Sequence, residues 1–184
     1  MDVETERWTR ARLLALPDDG CRHELIDGEH VVTPSPAGPH QEVLGVLVEL
    51  LRPYCRLHGI GRCLFAPADL AFGEDEMLQP DIFVVPGGDR PVRAWSDVTR
   101  LLLVVEIASP SSTRTDRGLK RRRYQRARVS EYWVVDPGAR TMERWTPDDA
   151  EPHIEAERLA WHPEGAREPL ILHLPALFRE ALDG

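Results

Sequence analysis

Apolar residues recur along the chain with the period of a helix in some segments and with the period of a strand in others. Helical spacing predicts helices over 4–16, 40–58 and 113–128, and a short last helix near the end of the chain. Shorter apolar runs predict strands over 22–26, 29–33, 62–72, 79–85, 101–108, 131–135, 141–145, 154–161 and 170–174. This order, with a helix first, strands in series and then strand, helix and strand, predicts an α/β fold in which helices flank a mixed β-sheet.

Individual residues sharpen two of these elements. In the first helix, Trp8, Leu13 and Leu14 are the positions that we expect to be buried. The first two strands are separated only by Asp27 and Gly28, a pair that is typical of a tight hairpin turn. We therefore expect these strands to pair with each other.

The composition indicates one soluble domain. The chain has 184 residues, of which 42% are hydrophobic and 29% charged, and no repeat or linker divides it, so we expect 1–184 to fold as a single domain. No apolar stretch approaches the ~20 residues of a membrane span, and the acidic start is unlike a secretion signal. Three cysteines without a C-x-x-C pair predict reduced thiols. We expect a cytoplasmic protein without a membrane partner.

The net charge of −8 hides one strongly basic segment, 113–128. This segment has eight basic side chains and one acidic one, so its charge is +7 and the rest of the chain carries −15. Such a local concentration predicts a site for a polyanion, and we expect Arg114, Arg117, Arg121 and Arg122 to contact nucleic acid. The alternative is a solvated helix face whose arginines pair with surface acids.

Lysine occurs once in the chain. Of the 23 basic residues, 22 are Arg and one is Lys120. Lysine is a compact point cation, whereas arginine is a broad planar fork, so a site that needs a small cation beside a water or a phosphate oxygen would reject arginine. The alternative is a chance survivor of a bias towards arginine. Lys120 is the first candidate for a catalytic residue.

Two carboxylates stand in apolar strands. Glu106 interrupts the most apolar run, 101–108, and Asp81 opens the apolar run before it. A buried carboxylate is costly unless it is paired, protonated or bound to a metal ion. On an alternating strand Val104, Glu106 and Ala108 share one face. Two acids on neighbouring strands would form a hard-oxygen site suited to Mg²⁺. The alternative for each acid is that it caps a backbone amide or pairs with an arginine.

These residues belong to six short motifs that follow one another in order: Glu24-Leu25-Ile26-Asp27-Gly28-Glu29, Ser35-Pro36 to His40, Pro80-Asp81, Val105-Glu106-Ile107 with Ser109-Pro110-Ser111, Asp116-Arg117 with Lys120 and Tyr124, and Glu131-Tyr132-Trp133-Val134-Val135-Asp136-Pro137. As an ordered set, over about 22–137, they resemble the Uma-two family of bacterial endonucleases. The resemblance implies a restriction-endonuclease-like core of the PD-(D/E)-x-K superfamily. Ala108 stands where the common pattern has its Lys, and in the Uma-type variant a Lys on the following helix takes that place, which Lys120 fits.

The resemblance further implies metal-dependent hydrolysis of phosphodiester bonds, with DNA as the expected substrate. Asp81 and Glu106, with the backbone carbonyl of Ile107, would hold Mg²⁺ or Mn²⁺. Lys120 would position the attacking water and offset negative charge on the phosphate. Glu24 would hold a second ion or accept a proton, and its alternative is a surface acid on a strand.

Two further residues are candidate nucleic-acid contacts. His40 would touch a phosphate or, alternatively, cap its helix. Tyr124 lies four residues after Lys120 on the same helical face, and would contact nucleic acid or brace that lysine. We expect a homodimer, since the strands are many and short and cleavage of a duplex needs two cuts. The rival hypothesis is a catalytically inactive DNA-binding or protein-interaction module that keeps the fold and the basic segment, and metal dependence distinguishes the two.

Overall fold

The structure, a computed structural model, describes residues 7–87 and 91–184. In chain order its elements are α1 (Arg10–Leu14), β1 (Arg22–Ile26), β2 (Glu29–Thr33), α2 (Gly38–His58), β3 (Gly61–Phe65), β4 (Ile82–Pro86), a 3₁₀ turn (Trp95–Asp97), β5 (Leu103–Ile107), α3 (Thr113–Thr115), a π-helical segment (Asp116–Lys120), α4 (Arg121–Arg126), β6 (Glu131–Asp136), β7 (Thr141–Trp145), β8 (His153–Glu155), β9 (Arg158–Trp161), β10 (Leu170–His173) and α5 (Leu174–Leu182). Residues 4–6 of the predicted first helix lie outside the described residues. In the described part of the chain, no helix is long and apolar enough to cross a membrane.

A six-stranded sheet in the order β3-β4-β5-β6-β7-β8 forms the centre of the fold. Strands β5 and β6 are parallel, whereas the other neighbouring pairs are antiparallel. A parallel pair needs a crossover connection, which here consists of α3, the π-helical segment and α4. Two separate hairpins, β1-β2 and β9-β10, accompany the sheet. The predicted α/β fold with a mixed sheet flanked by helices is therefore confirmed.

Helices cover both faces of the sheet, and strand alternation sorts the side chains between two cores. Val105 of β5 belongs to the core that contains residues of α2 and α5. Val104 and Ala108 belong to the second core, which contains Tyr124 of α4. Glu106 lies on this second face, where the hydroxyl of Tyr124 reaches it. The predicted shared face of these alternate residues is thus confirmed, and burial on both faces explains why the run is so apolar.

The β1-β2 hairpin forms at the predicted boundaries. Asp27 and Gly28 have φ angles of 55° and 80°, and a two-residue turn of this kind requires positive φ at both positions. Glycine adopts that conformation without steric cost, and aspartate tolerates it better than most residues. The turn fixes the register that places Arg22 and Glu24 of β1 beside the sheet.

Four predicted elements differ clearly from the observed ones. Within the described residues, the predicted helix 4–16 is helical only over Arg10–Leu14. The predicted strand 62–72 ends at Phe65, and the predicted strand 154–161 is divided into β8 and β9. The predicted helix 113–128 is not one α-helix, because its middle is π-helical. Leu14, an expected buried residue, is 62% exposed, since a helix of five residues turns only a narrow face towards the core.

Candidate active site

Asp81, the residue directly before β4, lies opposite Glu106 of β5. Ile82 of β4 is the register partner of Val105 of β5, and in an antiparallel pair the next facing positions are those of the two acids. The backbone amide of Ile107 donates a hydrogen bond to Asp81 Oδ2 at 2.8 Å. Both carboxylates are buried, with exposures of 2% and 1%. The two predicted metal-binding acids are therefore brought together at one end of the β4-β5 pair.

Two side chains hold Asp81 in its ionised form. Arg22 Nη2 donates to Asp81 Oδ1 at 2.9 Å. His40 Nε2, from the first turn of α2, lies 3.0 Å from Asp81 Oδ2. Burial opposes ionisation, but the hydrogen bond with His40 and the charge of Arg22 outweigh it and lower the pKa of Asp81 to about 2. Asp81 is therefore a carboxylate at neutral pH.

Lys120 lies among the buried acids, and its side chain is only 3% exposed. Its Nζ is 2.9 Å from Glu24 Oε2, 3.0 Å from Glu106 Oε1 and 3.8 Å from Asp116 Oδ1. Burial favours the neutral amine, but these carboxylates, Glu106 foremost, outweigh it and raise the pKa of Lys120. Lys120 thus reaches the acids from the π-helical segment that follows β5, as the resemblance to the Uma-two family implies.

The π-helical segment turns two buried residues, Asp116 and Lys120, into the cluster. Single π-helical turns inside α-helices are frequent at functional sites. In the following helix Tyr124 donates its hydroxyl to Glu106 Oε1 at 3.1 Å and has no exposed surface. The prediction that Tyr124 contacts nucleic acid is therefore wrong, because the ring packs in the core against Tyr132. Tyr124 braces Glu106 instead.

The cluster has more acidic than basic side chains. Four acids and two permanently charged bases meet in it: Glu24, Asp81, Glu106, Asp116, Arg22 and Lys120. Fully ionised, these six groups have a net charge of −2. Burial above all raises the pKa of Glu106 well above its usual value, and burial also raises that of Asp116 to about 6. The buried acids therefore need protons or a further cation to be neutralised.

A cavity of about 240 Å³ opens onto these side chains. Its lining includes Arg22, His40, Asp81, Glu106, Asp116 and Lys120, with the loops 33–37 and 109–112. Asp116 Oδ1 and His40 Nδ1 are buried there without a hydrogen-bond partner, and Glu24 Oε2 contacts Lys120 only as an ion pair. Since a buried polar atom without a partner is destabilising, the cavity is suited to a polar or charged ligand.

The donor atoms of the cavity fit a hard divalent cation. Asp81 and Glu106 offer carboxylate oxygens, and Ile107 follows at the cavity wall. Within 7–87 and 91–184, no group of three or more His, Cys, Asp or Glu side chains could hold a metal ion. Mg²⁺ does not need such a group, because it is commonly bound through one or two carboxylates and keeps several of its waters. The excess negative charge of the cluster supports the same fit.

Most of the basic segment 113–128 is neutralised by acids of the chain itself. Four of its arginines form ion pairs: Arg117 with Asp136 and Glu143, Arg123 with Glu76, Arg126 with Asp27, and Arg128 with Asp148. Arg121 donates to the carbonyl of Arg117 and lies 4.7 Å from the ring centroid of Trp145. Arg117 is paired with two acids and Arg121 with none in the described part of the chain, and for both the expected contact with nucleic acid stays a prediction. Arg114 and Arg122 are exposed, and for them it stays a prediction.

Two residues of the cluster are not found by sequence reasoning. Arg22 is one of 22 arginines and has no local signal, because only the docking of the hairpin against the sheet brings it to Asp81. Asp116 does have a signal. It precedes Lys120 by four residues, a spacing that brings side chains together on a helix.

Comparisons with known proteins agree with this architecture. The model of a family described as "Uma2: Putative restriction endonuclease" matches residues 10–176. A crystal structure from Anabaena variabilis ATCC 29413, titled as that of a "putative nuclease belonging to DUF820", has a TM-score of 0.73 and 23% sequence identity, and covers 95% of this chain and 99% of that one. At this identity the likeness shows the fold alone. The comparison with curated proteins gave no match.

Proposed function

Since the chain belongs to the Uma2 family, we propose that it is a nuclease that hydrolyses phosphodiester bonds of DNA with Mg²⁺ or Mn²⁺. The family supports nuclease activity in general. The metal ion and the DNA substrate are inferred from the chemistry of the buried cluster. The observation that carries the proposal is a buried cluster of four acids and two bases, all of which except Glu24 line a cavity.

A cluster that served only to stabilise the fold would not bury more acids than bases. Buried ion pairs contribute little net stability, because desolvation offsets much of their attraction. Here the acids outnumber the bases, so ionised carboxylates repel one another in addition to being desolvated. A divalent cation offsets this excess charge, which accounts for an arrangement that stability alone does not favour.

Each residue of the cluster has a proposed task. Asp81 and Glu106, with the carbonyl of Ile107, would hold the metal ion, which would polarise the scissile phosphate and lower the pKa of a water. Lys120 holds Glu106 in place and donates a hydrogen bond to a water in the cavity, so that the water is oriented towards phosphorus. Glu24 holds the ammonium of Lys120 on its other side, and accepts a proton during turnover.

Two residues of the wall orient Asp81 and face the substrate. Arg22 and His40 contact the two oxygens of Asp81, which fixes the plane of this carboxylate. Both also line the cavity, so the guanidinium of Arg22 is placed to bind a phosphate oxygen. We propose that His40 contacts the same phosphate or keeps Asp81 ionised.

Two properties of the whole protein belong to the same proposal. Cleavage of both strands of a duplex needs two such sites, so we propose that the protein acts as a homodimer, which light scattering after size exclusion tests. The three cysteines are free, which supports a reducing compartment such as the cytoplasm.

A plasmid-nicking assay tests the proposal. Supercoiled DNA is incubated with the wild type and with Glu106→Gln in MgCl₂, MnCl₂ or EDTA, and we expect nicked DNA only for the wild type with metal. Glu131→Gln is the matched control, because Glu131 is a half-buried acid that contacts Trp133 Nε1 at 2.9 Å rather than the cluster. Wild-type cleavage in EDTA, or by Glu106→Gln, would overturn the proposal. Binding of DNA without cleavage in either metal would support the inactive module.

A further inference from the structure

A hollow of about 300 Å³ lies between the C-terminal half of α2 and the edge strand β3, outside the catalytic cavity. Arg52 and Arg56 approach this hollow from α2, and Arg62 approaches it from β3. The first two are exposed and the third is half-exposed. Residues four positions apart lie on one face of a helix, so Arg52 and Arg56 project together. The side chains of Arg52 and Arg56 therefore border one depression together, whereas Arg62 shares the opposite sheet face with Leu64 and lines the depression at the strand edge.

The positive charge of this hollow is not compensated. Among residues 7–87 and 91–184, no carboxylate oxygen lies within 4.0 Å of the guanidinium nitrogens of Arg52, Arg56 or Arg62. Glu49 is exposed one turn before Arg52, and it forms no ion pair with it in the described part of the chain. In contrast, Arg128 of the basic segment pairs with an acid. The arginines of the hollow therefore retain their positive charge, whereas arginines of the basic segment that pair with acids are neutralised.

The stability of the fold does not account for the three arginines. Arg56 lies in the last turn of α2, where the helix dipole favours a basic side chain, but the like charge of Arg52 four residues before it opposes that gain. A charged residue on an edge strand opposes edge-to-edge association, which explains Arg62 but not the two residues of α2. Arg52 Cζ also lies 6.0 Å from the ring centroid of the partly exposed Phe65. A ligand that brings negative charge accounts for the two arginines of α2.

We propose that this hollow binds the phosphodiester backbone of the DNA substrate at a distance from the bond that is cleaved. The inference rests on the proposed function, because it takes the nuclease substrate as the ligand. The planar guanidinium fork matches phosphate oxygens. Contacts of this kind position a duplex without reading its sequence, so the hollow sets affinity and orientation rather than specificity.

Both elements that form the hollow also reach the catalytic cluster. His40, which contacts Asp81, precedes Arg52 by twelve residues of α2, or about 18 Å along the helix axis. At its other end β3 terminates at Phe65, and the next residue, Ala66, donates its N–H to the Asp81 carbonyl at 3.0 Å. Each strand of a duplex advances about 3.4 Å per phosphate. A duplex with one phosphate at the cluster would therefore place another at the hollow about five base steps away.

A salt titration of DNA binding tests the inference without catalysis. The anisotropy of a fluorescent duplex of about 24 base pairs is measured in EDTA, and each lost phosphate contact reduces the slope of log affinity against log salt by about 0.9. For Arg52→Gln/Arg56→Gln we expect the slope to fall by about 1.8, equally for unrelated sequences. Arg52→Lys/Arg56→Lys should keep the slope, because it keeps the charges. Glu49→Gln should tighten binding, since it removes the nearby negative charge.

The matched control is Arg126→Gln/Arg128→Gln, which removes two exposed arginines that already pair with acids and should leave the slope unchanged. If the wild type binds and nicks DNA while Arg52→Gln/Arg56→Gln keeps the wild-type slope, the inference fails and the nuclease proposal stands. If inorganic phosphate binds the hollow but Arg52→Gln/Arg56→Gln does not change the salt slope of duplex binding, the hollow binds small anions only. The inference then also fails. If the wild type neither binds nor cleaves DNA, the nuclease proposal fails, and with it the inference.

Discussion

Replacement of Glu106 by Gln should separate the stability of the fold from the binding of the metal ion. Glu106 is 1% exposed, and both burial and the charge of Asp81 oppose its ionisation. Gln keeps nearly the same volume, and its carbonyl accepts the hydrogen bonds from Lys120 and Tyr124. Lys120 also keeps Glu24 as an ion-pair partner at 2.9 Å. In EDTA we therefore expect Glu106→Gln to be at least as stable as the wild type.

The effect of metal on the wild type follows from mass action. An ion at 100 times its dissociation constant stabilises the folded state by about 2.7 kcal/mol. In a domain of this size 1 kcal/mol shifts Tm by about 2–4 °C, so we expect the wild type to melt about 5–11 °C higher with metal. In Glu106→Gln one of two ligand carboxylates is lost, and the charge of the fully ionised cluster changes from −2 to −1. We expect its Tm to be the same with and without metal.

Thermal melts followed by circular dichroism in a MnCl₂ series and in EDTA measure both effects. Glu131→Gln, which changes an acid outside the cluster, should keep the full metal shift. A wild-type metal shift in Glu106→Gln would show that Glu106 is not a ligand. A large loss of stability of Glu106→Gln in EDTA would show that the charge of Glu106 stabilises the fold rather than binding the ion.

Three further predictions concern other residues. Lys120→Arg should fold, at a cost of about 1–3 kcal/mol because a guanidinium is larger than the buried ammonium, and should lose most nicking activity; near-native nicking would contradict the role of the lysine. In urea unfolding, Arg123→Ala should lose about 3–5 kcal/mol because it leaves a buried acid unpaired, whereas Arg128→Ala should lose under about 1 kcal/mol; equal losses would contradict the contrast. Burial raises the pKa of the Cys63 thiol to about 12, so Cys63 should not react with iodoacetamide at about pH 8. Mass spectrometry should find the half-exposed Cys21 alkylated and Cys63 intact, and alkylation of native Cys63 would contradict its burial.

The local parts of the fold are predictable from the sequence, and the parts that depend on distant contacts are not. The β1-β2 hairpin follows from Asp27 and Gly28 alone, because their backbone conformation sets the turn. The π-helical segment has no such signal, since its residues have the pattern of an ordinary helix. β3 ends at Phe65 because the chain leaves the sheet edge there. The pattern of apolar residues does not indicate this end.

The same distinction holds for the site. Asp81 and Glu106 stand out as acids in apolar strands, and Lys120 as the single lysine among 22 arginines, so composition and pattern suffice to select them. Arg22 is recognisable only after the hairpin has docked. The ion pairs of the basic segment also depend on the tertiary structure. Asp148, for example, lies twenty residues after its partner Arg128. The charge of +7 counted from the sequence is therefore larger than the net positive charge that this surface presents to a nucleic acid.

The position of a manganese ion tests the central claim most directly. Crystals soaked in MnCl₂ are measured for anomalous scattering, and we predict one strong peak between Asp81 and Glu106, with ligand oxygens at about 2.0–2.2 Å. Lys120 should lie beside the coordinated waters. No peak at this cavity, with the two carboxylates ordered and Lys120 in its present contacts, would contradict the assignment of the buried cluster as a metal-dependent nuclease site.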